Sequence, residues 1–167
     1  MPELYIGTKL IHAVQMDRQR YNDFRGWKVP IDENPADEGY LVEYTDGGKA
    51  NTAQYAGYVS WSPKEQFENA YRKASGMPLG LAIEAMKMGK KVARAGWNGK
   101  GMWLSYLDPY MNHQFDLHEK DGAEGTYSPY IGMKTADNQY VPWVCSQTDL
   151  LADDWYIVEQ WSSPWNY

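Results

Sequence analysis

Apolar residues recur along this chain in two rhythms, and short polar breaks separate them. Leu10 to Val14 reads as a strand. Asp17 then offers an N-cap for a short helix over Arg18 to Phe24, with Tyr21 and Phe24 three apart on one face. Gly39 to Tyr44 reads as a second strand, ended by Asp46-Gly47-Gly48, and Tyr58 to Trp61 as a third. Ser62-Pro63-Lys64-Glu65 predicts a helix start, with Ser62 as cap, Pro63 at the first helical position and Glu65 closing a capping box. Phe67, Ala70, Tyr71 and Ala74 continue it as an apolar stripe. The pattern predicts a first module, residues 1–74, of short strands closed by one C-terminal helix.

Ala74-Ser75-Gly76-Met77-Pro78 suits a hinge or tight linker. Beyond it Pro78 opens a helix that ends at Gly89, and Leu79, Ala82, Ile83 and Met86 fall at i, i+3, i+4 and i+7. Lys87, Lys90 and Lys91 stand at its C-terminal end, where the helix dipole favours cations. Val92 to Arg94 leads into a glycine-rich turn in which Asn98-Gly99 is a hairpin signal. Met102 to Leu107 alternates as a strand, residues 108–128 form a long polar loop, and Tyr130 to Lys134 pairs with Tyr140 to Val144 as a hairpin. Asp149 looks like the cap of a helical turn over Leu150-Leu151, and Trp155 to Val158 reads as a last strand. The fold class is α+β: two small modules, 1–74 and 75–167, each of short antiparallel strands packed with one main helix. Modules this small have thin cores, so mutual packing or oligomerisation is expected.

Composition narrows the function by exclusion. The 167 residues carry a net charge of −6, which argues against a binder of DNA or RNA polymers. No apolar run reaches membrane-spanning length, and the N-terminus lacks the pattern of a signal peptide. The single cysteine, Cys145, excludes an internal disulfide framework and fits a reducing cytoplasm. His113 and His118 are five apart with Asp116 between them, a poor metal spacing, and neither a metal nor a cofactor is expected. No G-x-S-x-G, Walker or dinucleotide motif occurs. Asp149, Asp153 and Asp154 read mainly as capping and solvated carboxylates. The unusual feature is 8 tryptophans, six of them in the second module. Trp155 and Trp103 are expected in the core, and Trp161 and Trp165 as docking or interface residues.

Two segments join aromatics to small polar groups. In Arg94 to Trp103, glycines 96, 99 and 101 let backbone amides approach a ligand and form an anion-holding nest. Trp97 supplies a flat face, Asn98 a donor and an acceptor, and Arg94 and Lys100 can meet phosphates. The competing reading is a plain hairpin turn with a core tryptophan. In the second segment Trp143 is followed by Ser146, Gln147, Thr148 and Asp149, which either cap a helical turn or line a pocket. Together they describe a site for a nucleotide-like molecule, with no base or nucleophile visible, so binding without turnover is favoured.

Leu79 to Ala85, Gly89 to Met102, Tyr130 to Thr135 and Val141 to Trp155 resemble the second Thoeris anti-defence family of phage proteins, over about 77 to 158. The resemblance implies a signal sponge. Such proteins bind glycocyclic ADP-ribose, the cyclic ADP-ribose isomer made by bacterial TIR-domain enzymes, and sequester it intact. Some members are associated with cyclic di- or trinucleotides of cGAS-like CBASS defence in a separate pocket. It also implies a homotetramer, a dimer of dimers with shared pockets, acting in the cytoplasm of the infected host. Trp97, Asn98, Trp143, Thr148 and Asp149 are the leading pocket residues by motif, followed by Ser146, Gln147, Arg94 and Lys100. Leu79 stands where an aromatic is expected in the family, and Cys145 where a smaller residue is usual. The alternatives are a phage structural or protein-interaction module, or an enzyme degrading the same signal with Asp149 and Asp153 as acid and base.

Overall fold

A computed structural model describes residues 2–108 and 128–158, and the chain divides into two compact units, Met1–Arg72 and Lys73–Tyr167. His113, His118, Trp161, Trp165 and the 109–127 part of the polar stretch lie outside the described residues.

The first unit runs β1 (Ile11–Gln15), α1 (Arg18–Arg25), β2 (Gly39–Tyr44), β3 (Tyr58–Pro63) and α2 (Lys64–Ala70). Its three strands form an antiparallel sheet in the order β1-β2-β3, with Leu41 between Val14 and Trp61. α1 begins where Asp17 accepts the Arg20 amide at 2.8 Å and ends on Gly26 in the left-handed region. Tyr21 of this helix packs with Leu41 and Val59, flanked by Phe24, Tyr55 and Trp61. This buried cluster is therefore filled from α1, while the C-terminal helix closes the other face of the sheet, where Val42 is fully buried although no residue of the helix itself is. The reason is strand alternation. Leu41 and Val59 share the face that meets α1, whereas Tyr40 points to the other face and stacks on Phe67 at 4.1 Å.

The capping box at Ser62 does not form. β3 continues through Pro63, Ser62 stays in the ladder opposite Tyr40, and Pro63 caps α2 without a side-chain bond. Tyr71 lies beyond the helix end in extended backbone, stacked on Phe67 at 4.9 Å.

The second unit runs α3 (Leu79–Lys87), β4 (Lys91–Arg94), β5 (Trp103–Leu107), β6 (Tyr130–Lys134), β7 (Tyr140–Pro142), α4 (Gln147–Leu150) and β8 (Trp155–Val158). The sheet is antiparallel throughout, in the order β7-β6-β5-β4-β8. α3 covers one face. Its buried stripe is Leu79, Ala82, Ala85 and Met86, with Ile83 only half-buried, and it meets Val92, Leu104 and Trp155. Trp155 is fully buried, as expected. Trp103 is not a core residue. It alternates with Leu104, so it faces away from α3, beside Tyr140 and under the Lys91 ammonium, 4.2 Å from its ring centroid.

The junction is no free hinge. Met77 exchanges both backbone hydrogen bonds with Trp155, at 2.9 and 3.1 Å, and Ala74 accepts the Ile157 amide at 2.9 Å. Residues 74–77 thus lie along the outer edge of β8. The β4–β5 connection is also longer than the Asn98-Gly99 signal implies. Neither residue has the positive φ of a tight primed turn, and the left-handed position in the 95–102 loop is Gly101. A Cβ at Gly99 would stand 2.0 Å from the Met102 sulfur, so a side chain there would have to displace that methionine.

Candidate ligand site

The two predicted segments meet at Asp149. Ser146, not Asp149, caps α4: its hydroxyl accepts the Asp149 amide at 3.0 Å and donates to Asp149 Oδ2 at 2.8 Å. This local box turns the carboxylate toward β4. There Oδ1 accepts from Arg94 Nη1 at 2.7 Å and from Trp97 Nε1 at 3.0 Å. The backbone carbonyl of Asp149 accepts from Trp155 Nε1 at 3.1 Å. A four-residue helical turn with no buried side chain is thereby pinned to the sheet through one aspartate.

Arg94 is held from two sides. Its Nε donates to Asp154 Oδ1 at 2.7 Å, and the other Asp154 oxygen accepts the Gly96 amide at 2.7 Å. Arg94 and Asp149 are nearly enclosed, with side-chain exposures of 12% and 13%, while Asp154 is about one-third exposed. Burial pushes the Asp149 carboxyl up, but the bonds from Arg94, Trp97 and Ser146 more than offset it and hold it below the usual range. Asp154 is lowered chiefly by Arg94, against the opposing effect of burial, with a lesser contribution from the Gly96 amide. Arg94 is raised in turn by Asp154 and Asp149. One guanidinium therefore faces two carboxylates. The amide at Gly96, expected to serve a ligand anion, holds an anion of the chain itself.

The aromatics form a cluster around Trp155. Trp97 meets it edge-on at 5.4 Å and Trp143 at 5.9 Å, and both are half-buried against the core. The Trp143 amide is fixed by the Ile131 carbonyl at 2.9 Å. Beside Trp97 opens a cavity of about 310 Å³, lined by Arg94, Trp97, Asn98, Lys100, Trp103 and Tyr156 among others. It gathers Arg94, Trp97, Asn98 and Lys100 of the sequence-predicted residues. Trp143, Ser146, Gln147 and Thr148 do not line it, and Gln147 and Thr148 are exposed.

A larger cavity of about 900 Å³ runs from the C-terminal end of α3 onto the sheet face that α3 does not cover, and its lining includes Lys87, Lys90, Lys91, Trp103, Tyr130 and Tyr140. This combination is not legible in sequence, where the lysines read as helix-dipole partners and Trp103 as core. Asp154 reads there as a solvated carboxylate, because its position sixty residues from Arg94 gives no local clue.

Residues 77–158 match the model of the Thoeris anti-defence 2-like domain. The protein "Thoeris anti-defence 2" of Bacillus phage SP01 is 44% identical over 85 residues, which cover 94% of that protein and 49% of this chain. The chain belongs to the Thoeris anti-defence 2 family. The match falls within the second unit and contains every residue of the Arg94 network, both candidate tryptophans and the Ser146–Asp149 turn. Residues 1–76 lie outside it. Among the described residues no helix is long and apolar enough to cross a membrane, and no group of three or more His, Cys, Asp or Glu is placed to hold a metal ion.

Proposed function

We propose that this protein is a phage counter-defence sponge that acts in the cytoplasm of the infected host. It binds glycocyclic ADP-ribose made by TIR-based Thoeris defence and withholds it without cleaving it. The observation that carries this reading is the 44% identity to a Thoeris anti-defence 2 protein along nearly all of that protein's length. The domain from 75 to 167 is the signal-binding part, and Trp97, Asn98, Arg94 and Lys100 are its direct contacts. Trp143, Ser146, Gln147, Thr148 and Asp149 complete or support the site.

Two physical points agree with binding over turnover. The Asp149 carboxylate is saturated by three donors and held ionised, so it is poorly placed to pass a proton. The Cys145 thiol is pushed up by desolvation and by Asp149, away from a reactive thiolate. Asp153, the second acid–base candidate, takes no part in the Arg94 network. The cavity beside Trp97 is at the lower limit of small-molecule pockets, which run from about 300 to 1,000 Å³. A cyclic dinucleotide-sized signal needs more enclosure than that, which favours pockets completed by a second protomer in a dimer of dimers.

The test is depletion and release. Purified protein in excess should remove glycocyclic ADP-ribose from a filtrate, and heating should return it with unchanged mass and chromatographic position. Cleaved product in the heated sample favours the degrading enzyme, and failure to deplete the signal rejects the sponge. The larger cavity favours a second ligand, a cyclic di- or trinucleotide of CBASS defence, because it joins lysines to aromatic faces in a suitable volume. Binding of both signals without competition would support two separate sites.

A further inference from the structure

The two edges of the first sheet are treated differently. Met16 donates to the Gly39 carbonyl at 2.9 Å, which sets the alternation of the β1–β2 ladder: His12 and Val14 bond inward to Glu43 and Leu41. The backbone groups of Ile11, Ala13 and Gln15 therefore point outward along the free edge of β1. At the opposite edge the alternation leaves Val59, Trp61 and Pro63 facing outward. There Asn51 closes Val59 completely, donating to its carbonyl and accepting its amide, both at 2.8 Å. Pro63 has no amide to offer. These are two of the devices by which sheet edges are protected from pairing.

β1 carries neither device. Its five residues contain no proline, lysine or carboxylate, and all but Ile11 are exposed. Val14 keeps 48% of its surface in water, and the preceding Leu4, Tyr5 and Ile6 are 82–100% exposed. The sequence of the strand also fits its own reversal. In an antiparallel pairing centred on Ala13, each Ala13 faces its copy and each Ile11 faces a Gln15. About six backbone hydrogen bonds would form, with no like charges opposed.

We propose that β1 is an assembly edge, and that two copies of this chain join through antiparallel β1–β1 pairing centred on Ala13. The two three-stranded sheets then continue as one of six strands, with Asn51 and Pro63 hindering further pairing at both outer edges. The occupant is a second copy because the edge is self-complementary in register and uncharged, while the opposite edge hinders growth beyond the pair. This interface lies within residues 1–72 and is independent of the nucleotide-binding reading.

The experiment uses the full chain in a Cys145→Ser background and reads proximity, so its outcome does not depend on how the second unit assembles. Paired Ala13 positions stand about 5.5 Å apart, within disulfide range. Two Gln15 positions would lie about 14 Å apart, out of reach. Mild oxidation should therefore cross-link A13C into a covalent dimer and leave Q15C uncross-linked. A folded A13C protein that forms no covalent dimer, or equal cross-linking of A13C and Q15C, overturns the proposal.

Discussion

Asp149 shows how a candidate site residue can be committed to structure. It ties α4 to β4 and orients the Trp97 indole, yet its own oxygens are already occupied. Asp149→Ala would leave the enclosed Arg94 with only Asp154, which still compensates its charge, so the loss should stay below the roughly 3–5 kcal/mol of a buried charge stripped of its partner. Urea unfolding should show that loss, with a smaller one for Asp154→Ala, whose carboxylate is more exposed. The same network has a pH signature. Asp149 and Asp154 are both lowered, so their contribution is complete above the ordinary Asp value of about 3.9 and disappears as pH falls through the lower folded values. Asp149→Asn should flatten the acid limb of the stability profile below about pH 4, measured by unfolding at a series of pH values. Trp97→Ala should weaken signal binding by about 1–3 kcal/mol through lost stacking. Melting must be measured beside titration, because the indole also packs on Trp155.

At the scale of elements, glycines separate necessity from tolerance. A Cβ at Gly57 would stand 2.0 Å from the Tyr44 carbonyl oxygen, a backbone atom that cannot swing aside. Gly57→Ala should therefore lower the melting temperature and disturb the amide that Glu43 accepts at 2.9 Å. Gly80, in the first turn of α3, meets nothing within 4 Å. Gly80→Ala should raise stability, by up to about 1 kcal/mol, in the same melting assay. Elements with a local signal were legible in the sequence: Asp17 capping α1, the alternation of β2, and the end of α3 before Gly89. What was not legible was sidedness. Trp103, Ser105 and Leu107 alternate with Leu104 and Tyr106, and both sets are apolar enough to be core, so the pattern could not say which set α3 would cover. Ser62 failed as a cap because the sheet kept it, a non-local bond that local spacing does not reveal.

Over the whole molecule, the boundary between units matters more than its length suggests. The family match begins at Met77, but the pairing along β8 begins at Ala74. A truncation starting at Lys73 keeps that cover, whereas one starting at Pro78 strips it and leaves the Trp155 and Ile157 amides without their partners. The first should be soluble and melt cooperatively. The second should melt lower and aggregate, as judged by scattering during a thermal ramp. The candidate site was legible as two stretches of chain but not as an arrangement. Sequence brought Arg94 and Trp97 together with Asp149 only as candidates of one kind. The fold makes Asp149 and Asp154 the supports and leaves Asn98, Lys100 and the Trp97 face beside the cavity.

The two carboxylates around Arg94 also bear on what the pocket refuses. An unpaired guanidinium in a cell full of phosphate and ordinary nucleotides would seldom be vacant. Here the guanidinium is already matched to two carboxylates, so it offers little to a passing phosphate, and Lys100 is left as a cation lining the cavity. Under the sponge reading, selection then rests more on a molecule's rings and hydroxyls than on its phosphates. Crowding by abundant metabolites then leaves the trap open for a scarce alarm signal.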